Sequence, residues 1–167
     1  MGRSTRIWKD SAITKAVKIR LVRSLVFSVF LYAAETWTLR ETERRRIDAL
    51  EMRCWRRLLR IPWTAKRTNA SVLREIGSSR MLSSEILFRT MRYFGHFIRA
   101  EGMETLFVEG RVDGSRGRGR SPTRWTDTIR KATGKTFWEC VHMAWERDRW
   151  REVVHGHDTP TRGDTTQ

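Results

Sequence analysis

The chain has 167 residues, enough for one domain with a real core, or one domain and a small appendage. Its formal net charge is +15, and 28 of its 34 basic residues are arginine. That balance points to an acidic polymer, nucleic acid first, because the planar guanidinium fork matches phosphate and stacks on bases; the alternative is a basic protein that binds nothing specific.

Met1–Lys9 has no hydrophobic periodicity and reads as a flexible arm, residues 1–9. Met1–Asp10 is charged and lacks an apolar run, so no secretory leader is expected. The first helix is expected after Asp10 or Thr14, both good N-caps. Val17, Leu21, Leu25 and Phe30 fall on one side of it, and Lys15, Lys18 and Arg23 on another. From Leu25 to Tyr32 apolar residues surround the axis, which predicts burial all round. The uncharged run Ser24–Ala34 is eleven residues, about half of what a membrane span needs. No membrane partner is expected, and the location is expected to be intracellular, nuclear or cytoplasmic.

A second helix is expected behind Thr38, which with Glu41 has capping-box spacing. Ile47, Leu50, Cys54, Leu58 and Ile61 then form a core-facing stripe, and Pro62 stops the helix. Arg46, Arg53, Arg57 and Arg60 repeat the same spacing on a different face, with few acids to neutralise them. This row is the first candidate for phosphate contact. Trp63–Thr68 reads as a linker, and Asn69–Ile76 as a short helix ended by Gly77. A fourth helix is expected from Ser83 to Arg99, apolar along Leu87, Met91, Phe94 and Ile98. Arg89, Arg92, His96 and Arg99 line its other side, with His96 a surface polar residue. Gly95 in mid-helix costs about 1 kcal/mol against alanine, which predicts close packing or a bend.

Gly110–Thr123 alternates glycine with Arg116, Arg118 and Arg120. Such a loop cannot pack a core. It is either a solvated linker or a backbone free to follow a phosphate chain. Ser121 and Pro122 then suit the N-cap and first turn of a helix anchored by Trp125 and Ile129 and ended by Gly134. Thr136 and Glu139 repeat the capping-box spacing before a last helix, Phe137–Val154, whose Trp138, Val141 and Trp145 read as core. The tail from His155 on is polar and expected to be disordered. The fold class is therefore mainly α: an irregular bundle of about five to six helices with an Arg/Gly-rich loop. Its parts are the arm 1–9, a helical region 10–109, the linker 110–122, a helical pair 123–154 and the tail 155–167.

Catalytic chemistry is missing from the pattern. Cys140-Val-His142 and His155-Gly-His157 are isolated pairs, too few for structural zinc. The two cysteines, Cys54 and Cys140, build no disulfide framework and read as small core residues of a reducing compartment. No GxSxG, GxxxxGK[ST] or GxGxxG occurs, and no Asp-Asp pair offers the clustered carboxylates of two-metal phosphoryl transfer. No metal, no cofactor and no enzymatic activity are expected.

Several stretches carry a resemblance, in order along the chain. They are Leu31-Tyr32-Ala33-Ala34-Glu35-Thr36-Trp37, Arg45–Trp63, Arg67-Thr68-Asn69, Phe94-Gly95-His96-Phe97-Ile98-Arg99, and Gly117–Trp125. Together, over roughly Lys9 to Val154, they resemble the region after the polymerase palm of LINE-type (non-LTR, RTE-like) retrotransposon reverse transcriptases. The resemblance implies that the helices of Lys15–Ile61 are a thumb gripping the template–primer duplex from the minor-groove side, by shape and phosphate contact. The family's catalytic Tyr/Phe-Ala-Asp-Asp motif has no counterpart here, so polymerase ancestry is implied without polymerase activity. Ala33 departs from the family's usual glycine and predicts a stiffer helix. Partners implied are RNA, DNA or an RNA–DNA duplex, held by Lys15, Lys18, Arg23, Arg46, Arg53, Arg57, Arg60, Arg89, Arg92, Arg99, Arg116, Arg118 and Arg120. The alternative is a non-catalytic relic or interaction module that docks on the missing palm, or on itself, through the Leu25–Tyr32 end.

Overall fold

A computed structural model describes residues 10, 12–78, 80–100 and 124–156. Among them the regular structure is helical, with no strand, so the mainly-α expectation holds. The chain divides into two compact units. One comprises the described residues up to Tyr32 with Thr42–Ser83, the other Ala33–Glu41 with the described residues from Ser84 on. The division falls inside the stretch 10–109.

In the first unit, α1 (Lys15–Leu21) starts behind Thr14, whose hydroxyl accepts the Val17 N–H at 3.4 Å. It runs into a π-helical segment, Val22–Phe27, and the short α2 (Ser28–Phe30). The buried positions are Lys18, Val22, Phe27 and Leu31, at steps of four, five and four. The step of five is the π-helical repeat, and it brings Val22 and Phe27 to one side. The expected stripe Val17, Leu21, Leu25 and Phe30 is therefore corrected. So is the expected burial of Leu25–Tyr32 all round: Leu25 is 62%, Val29 76% and Tyr32 83% exposed. Phe27 takes the inward place instead, its ring meeting that of Trp55 edge-on at 5.2 Å.

Helix α3 (Glu41–Leu58) begins later than a Thr38 cap requires. Its buried side is Ile47, Glu51, Met52, Trp55 and Leu58, while Leu50 is exposed and Cys54 and Ile61 half-buried. The expected stripe is thus rotated about the axis, because the fully buried Trp55 needs a partner for its indole N–H. Glu51 Oε1 accepts it at 3.0 Å. The other oxygen of Glu51 accepts the Leu82 N–H at 2.6 Å, and Asp48 Oδ1 accepts that of Ser83 at 3.2 Å. Two carboxylates of α3 thereby satisfy first-turn amides of α5 (Leu82–Arg99), where orphan donors and the helix dipole favour negative charge. Between them, a 3-10 turn at Trp63–Ala65 precedes α4 (Asn69–Glu75), which Thr68 caps through the Ser71 N–H.

In the second unit, Ala33 precedes a 3-10 turn at Ala34–Thr36 and holds φ 54°. It lies outside the helix it was expected to stiffen. Helices α6 (Trp125–Thr133), α7 (Phe137–Trp145) and α8 (Arg147–Gly156) follow. Ser121 and Pro122 lie outside the described residues. At the start of α6 the Arg124 N–H donates to Asp127 Oδ2 at 2.9 Å, and Gly134 ends the helix with φ 66°. The Thr136–Glu139 capping box forms as expected. The single last helix does not: the chain breaks at Glu146, with ψ 98°, giving α7 and α8. Met91, Phe94, Ile98, Ile129, Cys140, Val141, Trp150 and Val154 form the core. Trp125 stacks at its edge against Phe94, Phe97 and Tyr93, and its indole donates to the Glu35 carbonyl at 2.8 Å. Trp138 and Trp145, expected in the core, are exposed, and Trp150 is the buried one.

Candidate nucleic-acid interface

A guanidinium on a helix reaches a phosphate when it faces solvent and is not occupied by a carboxylate. Arg46, Arg53 and Arg57 meet both conditions. They are exposed on α3 at steps of seven and four, which keeps them on one side, and they form no ion pair among the described residues. Arg60 is exposed but lies past the end of α3 with φ 54°, off the helical row. Arg56 is turned away to hold the fold, donating to the Arg67 carbonyl at 2.7 Å and to Asn69 Oδ1 at 3.0 Å.

The predicted cations of α1 and the π-helical segment serve the first unit itself. Lys15 and Arg67 both lie 2.5 Å from the Glu75 carboxylate. Their hydrogen bonds hold that carboxyl below its ordinary range. Lys18 is buried with its ammonium donating to the Asp10 carbonyl at 2.6 Å, which takes it off the surface. Arg23 donates to the carbonyls of Ile76 and Gly77 at 3.1 and 3.3 Å and lies 6.0 Å over the Trp55 ring.

In the second unit Arg89 pairs with Glu85 at 2.9 Å. Arg92 is exposed, its guanidinium 5.7 Å over Phe88. Arg99 is half-buried and donates to the Ala144 carbonyl; burial first, then the neighbouring Arg147 charge, push its pKa down. Arg92, His96 and Arg99 line a cavity of about 200 Å³ that Arg147, Arg151 and His155 line as well. Arg147 and Arg151 were not singled out from the sequence, and His155, read there as the start of the tail, lies in α8. Their four-residue spacing on one helix was the available signal, hidden because Phe137–Val154 read as one uninterrupted helix with its tryptophans in the core. Arg116, Arg118 and Arg120 lie outside the described residues.

Among the described residues no group of three or more His, Cys, Asp or Glu is placed to hold a metal ion. Burial raises the thiol pKa of both Cys54 and Cys140. Neither is the depressed, exposed thiolate of a nucleophile. Among the same residues no helix is long and apolar enough to cross a membrane.

No protein-family model matches the chain, and no solved structure matches it. A Caenorhabditis elegans protein described as uncharacterized and transposon-derived is 27% identical over 162 residues, 90% of this chain and 58% of the relative. The chain thus spans less than two thirds of that relative's length, and the likeness suggests a transposon origin.

Proposed function

We propose that this chain is the thumb and C-terminal region of a reverse transcriptase encoded by a LINE-type retrotransposon, and that it holds template–primer through phosphate contacts without catalysing polymerisation itself. The observation that carries this reading is the row Arg46, Arg53 and Arg57. It is exposed along one side of α3 and lacks carboxylate partners among the described residues. Such a row follows a phosphate chain and carries no base code, which suits a protein that must hold any template. The transposon-derived relative and the ordered motifs of the LINE-type family support it.

The test is binding of the folded chain to a labelled RNA–DNA duplex at several salt concentrations. Each phosphate contact contributes roughly 0.9 to the log–log salt slope on B-form duplex. The variant Arg46→Gln/Arg53→Gln/Arg57→Gln should therefore lose about two to three units of slope while keeping its helical circular dichroism. An unchanged slope in that variant overturns the assignment of the row.

A second reading, an interaction module, has its own observation in the exposed Leu25, Val29 and Tyr32. On the first reading this face packs on the palm of the parent polymerase; on the second the chain is a non-catalytic relic or module that self-associates through it.

A further inference from the structure

The cavity of the second unit differs in kind from the α3 row. Arg92, His96 and Arg99 stand at steps of four and three on α5, and Arg147, Arg151 and His155 at steps of four on α8. Each helix thus turns one ridge of basic side chains, two of them arginines, toward the same space of about 200 Å³. No carboxylate is among the lining residues. Of the acids nearby in sequence, Asp148 pairs at its exposed position with the lining Arg151 and Glu146 with Arg149, each at 3.4 Å, and the half-buried Glu85 pairs with Arg89 at 2.9 Å.

Packing brings the two ridges together. A Cβ at Gly95 would lie 2.3 Å from Trp150 Cδ1 and 2.5 Å from its Nε1, so only glycine lets α8 approach α5 there. The buried Trp150 is fixed in turn by its indole donating to the Met91 carbonyl at 2.9 Å. The cations are therefore held together by the core behind them. Arginines kept together in this way raise the free energy of the empty site; burial first, and the Arg147 charge second, lower the pKa of Arg99 there. An anion entering the cavity relieves that repulsion.

We propose that this cavity is a phosphate-binding site that takes a terminal phosphate monoester in preference to an internal phosphodiester. A monoester presents three free oxygens and a charge approaching −2, which donors converging from two helices can surround. A diester offers two free oxygens and one charge, and both of its ester chains must leave the cavity. The site shares no residue with the Arg46, Arg53 and Arg57 row and stands whether or not that row holds a duplex.

The experiment is calorimetric titration of the full chain with inorganic phosphate, and with a short single-stranded oligonucleotide carrying either a 5′-phosphate or a 5′-hydroxyl. The expected result is saturable 1:1 phosphate binding, with the 5′-phosphorylated strand bound about tenfold or more tightly than its hydroxyl twin. Arg147→Gln/Arg151→Gln should weaken phosphate binding by about tenfold or more with unchanged circular dichroism. If the double variant fails to fold, Arg147→Gln alone carries the comparison. Absence of saturable phosphate binding by the folded wild-type chain, or its persistence in the folded α8 variant, overturns the site. Equal affinity for the two strands overturns the monoester preference.

Discussion

Ala33, Arg60 and Lys66 hold positive φ angles of 54°, 54° and 42°, in a region that costs a side-chain-bearing residue about 1–2 kcal/mol. The end of α3 shows why Arg60 is there. The Ile61 N–H donates to the Arg56 carbonyl at 2.9 Å and that of Arg60 to the Arg57 carbonyl at 3.3 Å, the paired bonds of a Schellman motif. The end of α4 makes the same pair, Ser78 to Leu73 and Gly77 to Arg74, with Gly77 at φ 64°. One helix thus closes on glycine and the other on arginine in the same geometry. Ala33 is a similar case, and glycine would suit its backbone better than alanine does. Ala33→Gly and Arg60→Gly should each raise stability by about 1 kcal/mol, seen as a higher urea midpoint at unchanged slope. A lower midpoint for Arg60→Gly would mean that the arginine side chain contributes more than its backbone costs.

At the scale of elements, what the sequence concealed was phase. The Thr14 and Thr136 caps, Gly77 and Gly134 as stops, and Gly95 as a point of close packing were legible, because each rests on local backbone chemistry, whereas the break at Glu146 that makes two helices of the expected last one was not. The buried sides of α1 and α3 were not. A π-helical step between Val22 and Phe27 breaks the 3.6-residue period on which the apolar pattern is read. In α3 a carboxylate occupies the core side, where pattern reading puts Leu50. Glu51 is tolerated because the indole of Trp55 and the amide of Leu82 both donate to it, a pairing across 31 residues of sequence that no local rule anticipates. The candidate site divides in the same way. The exposed row of α3 could be read from spacing, whereas the inward turn of Lys18 and the convergence of α5 on α8 depend on tertiary packing.

Glu51 also sets a pH dependence. Burial pushes its carboxyl above the ordinary value of 4.5, against the hydrogen bonds from Trp55 and Leu82 that pull it down. The folded state therefore holds that proton more tightly than the unfolded chain. Its contribution is fully present below pH 4.5 and is lost as pH rises through the raised folded value. Glu75 and Glu139, held below the ordinary range by their donors, act oppositely: their contribution is present above it and is lost on acidification. Against Glu51→Gln, the wild-type chain should lose relative stability as pH rises from 4.5, measured by denaturant midpoints across that range. A difference independent of pH would show that Glu51 titrates alike in both states. Glu51→Ala strands both buried donors and should cost about 1–3 kcal/mol for each.

Over the whole molecule, a charge of +15 opposes the approach of a second copy, while an apolar face among the described residues stands open to solvent. Leu25, Val29 and Tyr32 follow at steps of four and three, and all are largely exposed. Exposed apolar side chains at such steps are where a test for an interaction site begins. Under the proposed reading the occupant is the palm of the parent polymerase. Without that occupant, the remaining source of apolar surface is a second copy. Light scattering should find a mass that rises with concentration, more steeply at high salt, where screening removes the repulsion of a +15 chain. Leu25→Gln/Val29→Gln should hold the chain monomeric over the same range, because glutamine keeps helix propensity while removing the apolar contact. The same variant should bind an RNA–DNA duplex with an unchanged salt slope, since the arginines of α3 are untouched. A wild-type chain that stays monomeric at high salt would show that this face is not adhesive. A double variant that loses duplex binding while still folded would mean that the face and the arginine row act as one surface.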